Sequence, residues 1–250
     1  MLSKRHADIL KILDTKGTVT VTALASTLGV SAETVRRDLR PLMADGAVLR
    51  MHGAVGLSTP SGEAPFRRRM RENAGAKQAI ARAVAGMVRD GDAVMLDTGT
   101  TTSFVARALT GHRRLTVITN STDVARTLSL TAGNRVFLAG GEVIGDSGAI
   151  LGSAANGFVA GFQAAIAVIS AGAVDARGVM DFDPDEAAFA RALLAQADRR
   201  VVVTDASKFG RRGLVLVAGF DRFNDLVSDK PPTEPIAAAL ALAGTRLVVA

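Results

Sequence analysis

Apolar residues fall in two different rhythms along this 250-residue chain. Up to about residue 56 they keep helical spacing. Ile9, Ile12 and Leu13 predict a helix over residues 3–14 that Gly17 ends, and Leu24 and Leu28 predict a second, with Thr20 as its N-cap. Gly29-Val30-Ser31 is then a tight turn into a third helix, where Val35, Leu39 and Leu42 form one apolar stripe. Helix, helix, turn, helix is the spacing of a helix-turn-helix. The stretch Ala47 to Val55 follows Asp45-Gly46 and loosely alternates around His52-Gly53, as a two-stranded wing does.

From about residue 73 short β-rich runs alternate with helical patterns. Strands are expected at 93–96, 115–118, 135–138, 165–169, 201–203, 225–228 and 246–249, and helices near 74–89, 102–110, 121–129, 184–198 and 233–243. This predicts an α/β domain with a mainly parallel sheet covered by helices on both faces. Ligands of such folds bind outside the carboxyl ends of the strands.

Charge sharpens the division. Residues 1–71 hold 12 Lys and Arg against 6 Asp and Glu, and the rest of the chain holds 18 against 18, so the net charge of +6 belongs to the first segment. That asymmetry suits a nucleic-acid-binding module joined to a near-neutral domain. All ten aromatics are Phe and none precedes Phe66. Without rings for base stacking, the basic segment fits duplex DNA better than RNA. In the third helix Arg36, Arg37 and Arg40 lie off the apolar stripe, and Ser31 can cap the start, which leaves Ala32, Glu33, Thr34 and Arg36 at the end that meets base edges in a major groove. Arg50 and His52 can reach the backbone from the wing, although His52 is equally placed to serve only the turn. Residues 57–72 have linker composition, and Arg67, Arg68, Arg69 and Arg71 either add phosphate contacts or are simply solvated.

The candidate chemistry of the second part lies in the turns that follow its strands. Asp97-Thr-Gly-Thr-Thr-Thr102 offers backbone amides and hydroxyls to an anion at a helix start. Thr119-Asn120-Ser121, Gly140-Gly141, Ser170-Ala171-Gly172 and Asp205-Ala206-Ser207-Lys208 follow the next strands. Lys208 can set a cation against a phosphate, and Asp97, Asn120 and Asp205 can accept sugar hydroxyls. Each turn alone is ordinary; five at one sheet edge favour a small anionic ligand. The chain has no Cys and only His6, His52 and His112, which leaves no ligand set for a disulfide framework or a zinc site, so no metal and no cofactor is expected. The longest apolar run, 164–174, is far short of a membrane span, and the first residues lack a signal-peptide core, so a cytoplasmic protein with no membrane partner is expected.

The run Val30-Ser-Ala-Glu-Thr-Val-Arg-Arg-Asp-Leu39, with Asp45-Gly46 and Met51-His-Gly53, resembles the winged helix-turn-helix of the DeoR/GlpR family of bacterial repressors. The resemblance continues through Lys77 to Ala81, Gly91-Asp92, Asp97 to Thr102, Val117 to Ser121, Gly140-Gly141, Asp183 to Ala187 and Asp205 to Gly210. It implies a winged helix-turn-helix domain over residues 1–56, a linker over 57–72, and over 73–250 a ribose-5-phosphate-isomerase-like sensor domain that binds a phosphorylated sugar or similar metabolite. It also implies a phosphate-cradling role for Thr98, Gly99, Thr100, Thr101 and Thr102, and ligand contact for Asp97, Asn120, Gly141, Glu186 and Lys208. The family commonly has Lys four residues after its Glu-Ala motif, where this chain has Ala190, and Met51 stands where a basic residue usually precedes the wing His-Gly.

The expected function is therefore a repressor of carbohydrate genes, released from operator DNA by a sugar phosphate and acting as a homodimer or homotetramer that reads paired half-sites. The alternative is a sugar-phosphate isomerase-like enzyme with Glu186, Asp97 and Lys208 as its acid-base groups. That alternative leaves the basic N-terminal module without a purpose, so no catalytic residue is assigned.

Overall fold

The computed structural model describes residues 4–44, 47–51, 54–57, 63–131 and 133–250. The Asp45-Gly46 turn, His52-Gly53 and residues 58–62 of the expected linker lie outside the described residues. The chain divides into two compact units, Met1–Arg69 and Met70–Ala250.

In the first unit α1 (Lys4–Lys16), a two-residue strand β1 (Val19–Thr20), α2 (Val21–Leu28) and α3 (Ala32–Ala44) precede the hairpin of β2 (Val48–Met51) and β3 (Ala54–Leu57). Thr20 caps α2 by accepting the Ala23 N–H at 3.1 Å. Gly29 ends it with φ +65°, a left-handed conformation that a side chain would strain, and so turns the chain sharply into α3. Ile9, Leu13, Leu24, Val35, Leu39, Leu42, Val48 and Val55 share one core. The hairpin is antiparallel, Arg50 facing Val55, and β1 joins it through Val19 and Val55 to make three strands. That third strand is too short to show in a period-two pattern. Residues 66–71, within the expected linker, form a helix, α4 (Phe66–Arg71), with Phe66 buried.

Asp38 braces this unit. It is only 7% exposed, on the inner side of α3. Arg5 of α1 grips both carboxylate oxygens, through Nε and, at 3.0 Å, through Nη2, and His6 Nε2 lies 3.8 Å away. The Arg5 guanidinium holds the Asp38 carboxyl below the usual carboxylate range.

The second unit contains α5 (Ala74–Ala85), β4 (Ala93–Leu96), α6 (Thr100–Ala108), β5 (Thr116–Thr119), α7 (Thr122–Ser129), β6 (Arg135–Leu138), the small hairpin β7 (Val143–Ile144) and β8 (Ala149–Ile150), and α8 (Ser153–Ala160). There follow β9 (Ala164–Ser170), β10 (Ala173–Asp175), β11 (Gly178–Asp181), α9 (Pro184–Ala195), β12 (Ala197–Thr204), β13 (Val215–Ala218), β14 (Asp225–Ser228), α10 (Glu234–Ala243) and β15 (Arg246–Val249). Seven strands form a parallel sheet in the order β15-β14-β12-β9-β4-β5-β6.

Alternation along each strand feeds two apolar layers. Val94 and Leu96, Val117, Ile166 and Val168, Val201 and Val203 meet α5, α6 and α7 on one face. Met95, Ile118, Ala167 and Ile169, and Val202 meet α8, α9 and α10 on the other. All seven expected strands and five expected helices are present. The hairpin β7-β8, the antiparallel sheet β10-β11-β13 and α8 were not expected. Their strands have two to four residues each, and α8 is only eight residues long. Among the described residues no helix is long and apolar enough to cross a membrane.

Replacing the Asp38 carboxylate with an amide, Asp38→Asn, is expected to lower the melting midpoint of the N-terminal unit by roughly 5 °C at pH 7. A carboxylate held below its unfolded pKa, near 3.9, stabilises the fold above about pH 4 and loses that contribution as pH falls through the depressed value. The gap to wild type should therefore close in acid. Thermal denaturation across pH checks this, and a gap of equal size at pH 3 and pH 7 contradicts it.

Candidate functional site

Two surfaces gather the expected residues. The first is α3. Its N-terminus is capped by Ser31, whose Oγ accepts the Thr34 N–H at 3.1 Å and lies 2.9 Å from the Thr34 hydroxyl. Ala32 is half-buried against the core. With Val35, Asp38, Leu39 and Leu42 turned inward, Glu33, Arg36, Arg37 and Arg40 are exposed on the outer side. Arg36 rests 3.1 Å from Glu33 one turn back, an exposed pair that is easily exchanged for another partner. Arg50 is exposed on β2. His52 lies outside the described residues.

The second surface is the carboxyl edge of the parallel sheet. Leu96 of β4 is in register with Thr119 of β5 and Val168 of β9, so the segments after three adjacent strands leave the sheet side by side. Asp97 is 7% exposed. Its Oδ2 accepts the Ser170 N–H at 2.8 Å and the Ser170 hydroxyl at 3.4 Å. Its Oδ1 is sealed from solvent and has no partner among the described residues. Burial, aided by the charge of Asp181, pushes the Asp97 carboxyl up to about 7 against the hydrogen bonds from Ser170 and Thr102.

Beside it, the Thr98 hydroxyl donates to Asn120 Oδ1 at 3.0 Å, and Asn120 Nδ2 donates to the Ile150 carbonyl at 3.1 Å. These bonds tie the ends of β4, β5 and β8 together. Gly99 is required by space, because a Cβ there would come within 1.9 Å of Ser170 Oγ. It also leaves the first turn of α6 without a side-chain cap. The Thr102 hydroxyl is occupied by the Asp97 and Gly99 carbonyls at 3.2 and 3.0 Å, whereas those of Thr100 and Thr101 make no hydrogen bond among the described residues. An uncapped helix start, two available hydroxyls and one unsatisfied carboxyl oxygen can receive an anion that carries hydroxyl groups.

The remaining residues stand on neighbouring segments. Gly141 follows β6 at φ +148°, where a Cβ would meet Ile150 at 2.9 Å. Glu186 is half-buried in the first turn of α9, which Asp183 caps. Lys208 ends the short 3-10 turn Ala206–Lys208 that leaves the carboxyl end of β12. Asp205 is 3% exposed, and one of its two carboxylate oxygens is engaged within the fold. Its Oδ1 accepts from Asn73 Nδ2 at 3.0 Å and from the Ser207 N–H at 3.0 Å. Asp181 is not among the residues expected from sequence, and Ser170 is expected only as part of the turn after β9, without a role of its own. Ser170 meets Asp97 across 73 residues of sequence, a pairing that no local pattern encodes.

Both parts of the chain match known families. Residues 5–61 match the family model of a DeoR-like helix-turn-helix domain, and residues 72–230 match that of a DeoR C-terminal sensor domain. The chain is 32% identical over 231 residues to the glycerol-3-phosphate regulon repressor of Escherichia coli, covering 92% of each. It is 34% identical to the transcriptional repressor CsqR of the same organism, covering 91% of this chain and 88% of the relative. Among solved structures, ribose 5-phosphate isomerase A of Methanocaldococcus jannaschii is similar over 55% of each chain, at 17% identity and a TM-score of 0.41.

The raised pKa of Asp97 has a measurable consequence. In the unfolded chain this carboxyl ionises near 3.9, so between about pH 4 and pH 7 the folded state holds a proton that the unfolded state has lost. Its burial therefore costs stability progressively as pH rises through that window. The melting midpoint of Asp97→Asn is expected to gain on wild type between pH 5 and pH 7 and to level off above. Scanning calorimetry reads the difference, and a constant offset across that range would exclude titration of Asp97 there.

Proposed function

The chain belongs to the DeoR family of transcriptional repressors, and from that premise we propose a repressor of carbohydrate metabolism genes that a phosphorylated sugar or related metabolite releases from operator DNA. Its relatives are repressors with a DNA-binding helix-turn-helix, so the chain is a regulator and not the isomerase-like enzyme weighed from sequence.

The observation that carries the DNA half is α3, whose apolar side and Asp38 face inward while Arg36, Arg37 and Arg40 face out behind a capped start. In this reading α3 enters the major groove. Ala32, Glu33, Thr34 and Arg36 lie nearest the bases, Ser31 approaches the backbone at the helix start, and Arg37, Arg40, Arg50 and His52 add phosphate contacts. Residues 1–56 form the DNA-binding domain, 57–72 connect it, and 73–250 sense the effector. A homodimer or homotetramer in the cytoplasm presents paired recognition helices to half-sites.

For the effector half, support comes from the uncapped start of α6 and from Asp97 Oδ1, which has no partner among the described residues. The phosphate sits on the segment Thr98 to Thr102 with Lys208 as its cation. Asp97 and Asn120 take sugar hydroxyls, and Gly141 and Glu186 close the sides. The name of the Escherichia coli relative, a glycerol-3-phosphate regulon repressor, fits a small phosphorylated polyol. Release requires only that the effector prefer the weakly binding state by about 1–3 kcal/mol.

Arg36→Ala and Arg37→Ala are each expected to weaken operator binding by about tenfold while leaving effector affinity intact. Fluorescence anisotropy on the chain's own upstream DNA at fixed salt measures this, and unchanged affinity would remove these arginines from the interface. Lys208→Ala is expected to shift the effector concentration for half-release at least tenfold upward with DNA affinity retained. A wild-type release curve over a panel of sugar phosphates would contradict that role.

A further inference from the structure

A cleft of about 170 Å³ lies away from the carboxyl edge, lined by Arg191 and Leu194 of α9, Arg200 of β12, Val217 of β13 and Arg222. Arg200 stands in the first half of β12, and Arg222 ends the short 3-10 turn before β14, so the cleft opens toward the amino ends of the strands. The residues of the proposed effector edge follow the carboxyl ends.

Among the described residues, three arginines and no carboxylate line this space. Arg191 is fixed by its own fold, donating from Nε to the Val217 carbonyl at 3.2 Å and from Nη2 to the Leu216 carbonyl at 2.8 Å. Arg200 Nε is sealed from solvent and has no hydrogen-bond partner among the described residues. Asp221 precedes Arg222 in the same 3-10 turn but does not line the cleft, and Asp225 at the start of β14 is already shared by Arg199 at 2.8 Å and Arg246 at 2.6 Å. A buried donor without an acceptor, beside two further like charges, is unfavourable until an anion enters.

We propose that this cleft is a second ligand site, for a small oxyanion of the phosphate class, independent of the effector edge. Guanidinium pairs bind tetrahedral oxyanions in bidentate fashion, and the walls of Leu194 and Val217 keep water from one side of the anion. The volume is close to that of cavities, about 150 Å³, that hold a benzene-sized molecule. It therefore takes a phosphate, a diphosphate or the terminal phosphate of a metabolite, and excludes a whole nucleotide.

The test is isothermal titration calorimetry of the full chain with inorganic pyrophosphate at constant ionic strength. Wild type is compared with Arg200→Gln/Arg222→Gln and with a charge-matched control at two exposed arginines elsewhere, Arg113→Gln/Arg126→Gln. The expected result is a binding component that the cleft variant weakens at least tenfold and the control leaves unchanged. If the cleft variant loses its native circular dichroism, Arg222→Glu, a single change at an exposed residue, decides in its place and should abolish that component. Absence of pyrophosphate binding by wild type, or equal binding by wild type and cleft variant, overturns the proposal. So does a loss of DNA affinity in the cleft variant with pyrophosphate binding intact, which would assign these arginines to nucleic-acid phosphates.

Discussion

A parallel sheet buried on both faces leaves its chain little freedom. Because Val94 and Leu96 face one apolar layer while Met95 faces the other, helices must cover both sides. Every return to a parallel neighbour is then a crossover, and every strand releases its following segment at the same edge. Asp97, Asn120, Ser170 and Lys208 are far apart in sequence and share that edge through this constraint alone. The chemistry of the second unit follows from its hydrophobic alternation: the core fixes the register, and the register decides which polar residues meet.

The first unit solves a different problem, presenting arginines without letting them collapse onto nearby acids. Six acidic residues share residues 1–71 with twelve basic ones, and on α3 the acids are Glu33 and Asp38. Asp38 is turned inward and held by Arg5 from α1, which removes it from the outer surface and ties α1 to α3. Glu33 retains only an exposed contact with Arg36. Arg37 and Arg40 remain displayed as a consequence of where the helix stripe puts Asp38.

How much of this was legible in the sequence depended on the range of each interaction. Thr20, Gly29 and Ser31 act within four residues of themselves, so the caps and the turn into α3 could be placed from the string of residues. The seven parallel strands were legible because each is a compact apolar run. The antiparallel sheet of β10, β11 and β13 was not, since Met180 pairs with Leu216 across a long separation and with a register shift beside it. The candidate site shows the same divide. The threonine-rich turn after β4 was plain, whereas its tie to Ser170, the burial that raises the Asp97 pKa and the internal hydrogen bonds of Asp205 exist only in the folded chain. Composition marked residues 57–72 as linker, and within it Phe66 finds cover and α4 forms around it.

The distribution of carboxylates, more than that of arginines, separates structural cations from available ones in this protein. Arg5, Arg199 and Arg246 each meet a buried or nearly buried Asp and become parts of the scaffold. Asp225 illustrates the economy, since one carboxylate, 2% exposed, binds two arginines from β12 and β15 and satisfies both of its oxygens. With its charge engaged there, it leaves Arg200, the next residue on β12, with a buried Nε and no acceptor among the described residues. On the other side of the sheet's length the sign is reversed: Asp97 Oδ1 is the atom without a partner among the described residues, and burial raises the carboxyl to about 7. A protonated carboxyl can donate to a ligand oxygen, while a guanidinium cluster can only donate to an anion. The two ends of the same strands thus offer different recognition chemistry, and the difference comes from which buried charges the fold has already neutralised.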